Sequence, residues 1–206
     1  MALYKTKKDI SIFRFAIPFF KDAIERNNIF HTLYEIDSED KFSEWKLIHI
    51  ATLSIECMLK SILLLSFYNH SSDWKIKKRL KDSKRCHNLE SMLNKIQSKY
   101  NIQLNSEQKN LIKIWWTNWI FYRYWIDAFF NFVKTKWINS DKLRKIEWEI
   151  KEQTKWSENY NIIYNKLFIL CKSIIEEYSW LPFDLLLKST IQIPDCQFDI
   201  MKNIYD

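Results

Sequence analysis

Apolar residues recur along this chain at intervals of three and four, the period of a helix with one face turned to a core. Over residues 11–35, apolar positions 13, 16, 17, 20, 23, 24 and 30 predict a first helix, with Pro18 in its first turn or marking a kink. The polar cluster Asp37-Ser38-Glu39-Asp40 breaks it and supplies caps for a second helix from about Lys41 to Tyr68. In that helix Leu53, Ile55, Met58, Leu59, Ile62 and Leu63 make one broad apolar face, and Glu56 and Lys60 sit one turn apart. A third helix is expected from about His87 to Tyr100, with Leu89, Met92, Leu93 and Ile96 in period, Asn88 as N-cap and Glu90 in its first turn.

Asn105-Ser106-Glu107-Gln108 reads as a capping box for a long fourth helix. From Leu111 to Val133 this helix is apolar or aromatic almost all round, so it is expected to be buried on most sides. A membrane span is the rival reading, but Lys113, Arg123 and Asp127 would each cost about 2.5 to 3.5 kcal/mol inside one. A central or dimer-forming helix is the better expectation. Asn139-Ser140-Asp141 then caps a charged helix from Lys142 to about Thr154, and a last helix is expected from about Ser157 to Tyr178. Tyr160, Ile163, Tyr164, Leu167, Leu170, Cys171 and Ile174 share one side of it. The tail from Leu181, with Pro182 and Pro194, is expected to wrap across the bundle. These elements predict one all-α domain over residues 1–206, a bundle of four to five core helices within about 10–135 and a helical extension over about 139–206.

The 206 residues include no glycine and only 3 prolines, so turns needing positive φ must fall to Asn, Asp or Lys, and hairpin-rich β architecture is disfavoured. Without glycine, neither a phosphate-cradling P-loop nor a dinucleotide-binding Gly-x-Gly turn nor a serine nucleophile elbow can form in its usual form. Cys57, Cys86, Cys171 and Cys196 are scattered without zinc or redox spacing, so no metal and no cofactor is expected, and the thiols read as those of a reduced, cytoplasmic protein. The start of the sequence has no signal-peptide core.

The formal net charge is +7. Its excess is concentrated between Trp74 and His87, where Lys75, Lys77, Lys78, Arg79, Lys81, Lys84 and Arg85 face a single acid, Asp82. Such a segment is either a solvated connector or a phosphate grip on which Trp74 can stack a base. The two readings are evenly balanced. His87 fits a helix-capping role better than a ligand role, and Glu56 and Lys60 read as an ion pair at the edge of the core rather than as an acid/base couple.

The pairing of Glu56-x-x-x-Lys60 with the later helix start His87-Asn88-Leu89-x-x-Met92 resembles the HEPN superfamily of small all-α domains over roughly residues 10–135. Active members of that family carry Arg, a polar residue and, a few positions on, His. The resemblance implies a metal-independent ribonuclease site in a dimer cleft, with the His acting on the ribose 2′-hydroxyl and the Arg on the phosphate. Arg26-Asn27-Asn28-Ile29-Phe30-His31 has that spelling, which makes Arg26, Asn27 and His31 the candidate catalytic set, but on the first helix. The family's own place for the motif is downstream, where this chain has Thr117-Asn118-Trp119-Ile120-Phe121-Tyr122-Arg123. There Asn118 keeps the polar position, Trp116 or Thr117 replaces the Arg, and Tyr122 replaces the His. Tyr, with an ordinary pKa near 10, is a poor base at neutral pH.

Two readings follow from the resemblance. One is a non-catalytic HEPN-like module that binds nucleic acid, a nucleotide or a protein partner in a defence or toxin–antitoxin setting. The other is a metal-independent endoribonuclease, a toxin or anti-phage effector, using Arg26 and His31. A homodimer through the aromatic helix surface, an RNA and an antitoxin or nucleotidyltransferase are the expected partners, and no membrane is expected. The eroded downstream motif favours the first reading.

Overall fold

The computed structural model describes residues 7–36, 41–67, 88–117 and 155–178. Among these, all regular structure is helical: α1 Lys7–Ile36, α2 Lys41–Phe67, α3 Leu89–Gln97, α4 Ser106–Thr117 and α5 Trp156–Tyr178. Five of the expected helices are therefore present. The tryptophan-rich stretch beyond Thr117, the charged helix expected over 142–154, the tail from 181 and the basic segment 75–85 lie outside the described residues.

The four residues between α1 and α2 allow only an antiparallel pair. The contacts between them agree: the Ser61 hydroxyl donates to the Ala16 carbonyl and the Ser54 hydroxyl to the Ala23 carbonyl, each at 2.8 Å. As the α2 donor moves back seven residues, the α1 acceptor moves forward seven. Small residues make this possible, because Ala16, Ala23 and Ala51 are fully buried and let the two backbones come close enough for a serine to bridge them. Pro18 lies well inside α1 rather than in its first turn.

Helix α2 is the centre of the described bundle, packing against α1, α3 and α5, while α4 packs on α3 and α5. From Ala51 to Ser66 nearly every residue is buried, and Ile55, Met58, Leu59, Ile62, Leu64 and Leu65 are among the largest enclosed side chains. The stretch Lys46–Phe67 is long and apolar enough to cross a membrane, with mean hydropathy 1.7, but 83% of its most apolar 18-residue window is buried inside the protein. It has the surroundings of a core helix. Helix α5 runs alongside α2 in the same direction, with Cys171 against Ser61, and antiparallel to α1, with Phe168 stacked on Phe20 at 5.6 Å and Tyr160 bonded to Asn27.

Two of the capping expectations are present atom by atom; those at 37–40 and 139–141 lie outside the described residues. The Asn88 side chain accepts from the Ser91 amide at 2.8 Å and opens α3. Asn105 and Gln108 exchange backbone-to-side-chain hydrogen bonds at 3.1 and 2.8 Å, a reciprocal capping box at the start of α4. Helix α2 has no basic residue in its own last turn. Lys99, from the α3–α4 connection, donates to the Ser66 carbonyl at 2.9 Å and brings positive charge to that helix end. The turn before α5 needs a left-handed residue, and in a chain without glycine Lys155 takes it, with φ 41°.

One expectation is corrected. Glu56 and Lys60 do pair one turn apart, but their side chains are 7% and 3% exposed, inside the core rather than at its edge. The Lys60 ammonium also lies 5.5 Å from the centre of the Phe19 ring, a cation–π contact that helps replace lost hydration.

Candidate functional site

The candidate set Arg26, Asn27 and His31 lies on the C-terminal half of α1, and the three side chains meet different surroundings. Asn27 faces the core, where the buried Tyr160 hydroxyl donates to its Oδ1 at 2.8 Å. Burial pushes the Tyr160 phenol well above the usual phenol range, with the nearby Ser54 hydroxyl acting weakly the other way. That phenol stays protonated and serves Asn27 as a donor.

Arg26 lies on one flank of the buried stripe. Its Nε donates to Asp22 Oδ2 at 3.0 Å, and the same oxygen receives the Cys57 thiol of α2 at 3.1 Å. Asp22 thus holds the Arg26 side chain against α1 and ties α1 to α2. Burial, with the Asp22 carboxylate beside it, pushes the Cys57 thiol far up, so it stays a protonated donor to Asp22 at neutral pH.

His31 is exposed, with its ring edge-on to Phe30 at 5.2 Å. It lies five residues before the end of α1, so it is not a helix-end histidine. Five residues of α-helix carry His31 about 140° around and about 7.5 Å along the axis from Arg26. The two side chains leave opposite flanks of the stripe that contacts α2 and α5.

Around Asn27 and His31 is an aromatic cluster shared by α1 and α5. Phe30 is the hub, with Tyr160 at 4.6 Å, Tyr34 at 5.5 Å and Trp156 at 5.9 Å. The stack continues along α5 through Tyr164 and Phe168 to Phe20. The phenol of Tyr34 reaches Ser157 at 3.4 Å. A depression of about 460 Å³ runs along the outward face of α1, lined by Lys21, Glu25, Asn28 and Thr32 with Ile24, Ile29 and Leu33. Burial lowers the Lys21 amine from its usual value. Neither Arg26 nor His31 lines this depression.

Among the described residues, no three or more His, Cys, Asp or Glu side chains converge as a metal site would require. Lys75, Lys77, Lys78, Arg79, Lys81, Lys84 and Arg85 lie outside the described residues, as does the downstream Asn118–Arg123 stretch. Sequence reasoning missed Asp22, Cys57 and Tyr160 as partners of the motif. The Asp22–Arg26 spacing of four was a usable signal, whereas the contact between Asn27 and Tyr160 spans 133 positions and left none. Comparison with protein-family profiles, curated proteins and solved structures finds no match for this chain.

Proposed function

We propose that this chain is a non-catalytic, HEPN-like helical module that binds a partner, with nucleic acid or a nucleotide favoured over a protein by the run of seven cations between Lys75 and Arg85. A defence or toxin–antitoxin setting and a homodimeric state belong to the same proposal. The observation that supports it is the fate of the α1 motif. Arg26, partly exposed, is engaged by Asp22 and Asn27 by Tyr160, while His31 is exposed. The downstream stretch supports the same reading, since Trp116 or Thr117 stands there for the Arg and Tyr122 for the His.

The test has two arms. The purified protein, incubated with mixed RNAs in EDTA, is expected to leave them intact, and His31→Ala to behave identically. Metal-independent cleavage that His31→Ala abolishes would instead establish the endoribonuclease. In the second arm, reversing the charge of Lys77, Lys78 and Arg79 is expected to weaken binding to a single-stranded oligonucleotide and to flatten its dependence on salt. Binding that ignores the reversal removes the basic segment as the contact surface.

A further inference from the structure

The outward face of α5 carries a pattern that the core does not explain. Beginning at the residue before the helix, Lys155, Glu158, Ile162, Asn165, Ile169, Lys172 and Glu176 follow one another at steps of three, four, three, four, three and four, a heptad stripe. The helix buries its other side, through Trp156, Tyr160, Ile163, Tyr164, Leu167, Cys171, Ile174 and Ile175, so the stripe faces away from α2. Its two isoleucines are 36% and 66% exposed, and Ile169 has the highest exposure among the large apolar side chains described. An exposed pair one heptad apart, bracketed by charge, has the form of a coiled-coil seam.

The order of the stripe identifies what covers it. Read forwards it is Lys, Glu, Ile, Asn, Ile, Lys, Glu. Read backwards it is Glu, Lys, Ile, Asn, Ile, Glu, Lys. Laid antiparallel on itself, every cation meets an anion, every Ile meets an Ile, and Asn165 meets its own counterpart. A parallel pairing would set Lys on Lys and Glu on Glu at both ends.

We propose that α5 is a homodimer seam, and that its occupant is α5 of a second copy, antiparallel about a two-fold axis at Asn165. Ile162 packs against Ile169 of the second copy, Glu158 faces Lys172, and Lys155 faces Glu176. Lys172 and Glu176 already lie 3.9 Å apart within one helix, so each end of the seam closes into a four-charge network. Asn165 on the axis fixes the register, the role that a single polar residue plays in many coiled coils. The contact is isologous, so assembly stops at two.

A seam of this length, with two isoleucines per copy, is smaller than the roughly 800 Å² per partner of a stable interface, and so gives a weak, concentration-dependent dimer. This inference deepens the homodimeric part of the proposed function, and its test does not depend on whether the chain binds nucleic acid. Sedimentation velocity on the full chain, from about 1 to 300 µM, is expected to show monomer passing to dimer, and Ile169→Glu to weaken the association at least tenfold. Glu158→Lys and Lys172→Glu, each checked for an unchanged helical spectrum, should each weaken self-association. Mixed together they should recover it, because in the heterodimer both crossings between positions 158 and 172 again set a cation against an anion. A wild type that stays monomeric throughout, a dimer indifferent to Ile169→Glu, or single variants that fail to rescue each other would overturn the proposal.

Discussion

Two ion pairs of identical spacing lie on neighbouring helices of this bundle. On α2, Glu56 and Lys60 are almost wholly enclosed; on α1, Asp22 and Arg26 keep 22% and 28% of their side-chain surface in solvent. The sequence offers both as the same motif, acid then base one turn on. Their surroundings make them different objects. The α2 pair has left water, with Phe19 beside it, so loss of either member removes the opposite charge that balances the other in the interior. The α1 pair is partly hydrated and interacts weakly, yet it fixes the direction of the arginine on which a catalytic reading of the chain would depend.

The largest expected effect therefore falls on α2. Lys60→Ala should destabilise the fold by about 3 to 5 kcal/mol in urea unfolding, because Glu56 stays buried without its cation. Replacing both at once, Glu56→Leu with Lys60→Met, should recover most of that loss or all of it. A double variant as unstable as the single one would mean that the charges themselves specify the α1–α2 packing.

Next in size is the tie between α1 and α5. Tyr160→Phe removes the donor to Asn27 and should cost about 1 to 3 kcal/mol, since it leaves a part-buried amide oxygen without that donor. Asn27→Ala should fall in the same range, by stranding the phenol instead. The α1 pair comes lower. Arg26→Ala should change stability by no more than about 1 kcal/mol, as partly exposed i,i+4 pairs do. A much larger loss would show that Asp22, through Cys57, carries more of the α1–α2 contact than its exposure suggests.

The pH dependence sharpens the same contrast. Burial pushes the Cys171 thiol up to about 12 and the Cys57 thiol and Tyr160 phenol higher still. Groups raised in the folded state favour it fully below their unfolded values, and that favour is lost as pH climbs through the window above them. The unfolding midpoint should hold steady from neutral pH to about 8 and fall from there towards 11, with Cys171→Ala falling less steeply. Thiol labelling at pH 8 followed by peptide mapping should find Cys57 and Cys171 unmodified until the chain is denatured.

The sequence was most legible where structure is local. The N-cap at Asn88, the reciprocal box of Asn105 and Gln108, the limits of α2 and the apolar side of α5 each follow from residues within a turn or two of one another, and all are present. Lys155 takes the left-handed turn that a glycine-free chain must assign to another residue. Depth was harder to read. Periodicity places Glu56 and Lys60 on a face but does not say how deeply that face is enclosed, because that depends on packing against other segments, Phe19 of α1 among them. The surroundings of the candidate site were hard to read for the same reason. The spelling of Arg26 to His31 is visible in the sequence, whereas the engagement of Arg26 by Asp22 and of Asn27 by Tyr160 depends on how α1 lies on its neighbours.

Whether Asn27 is a structural residue decides whether the α1 motif is available for chemistry, and a double-mutant cycle in urea between Asn27→Ala and Tyr160→Phe measures that directly. A coupling of about 0.5 to 3 kcal/mol, the size expected for residues in direct contact, is the predicted result. Strict additivity of the two changes would contradict it and return Asn27, with Arg26 and His31, to the groups free to act on a substrate.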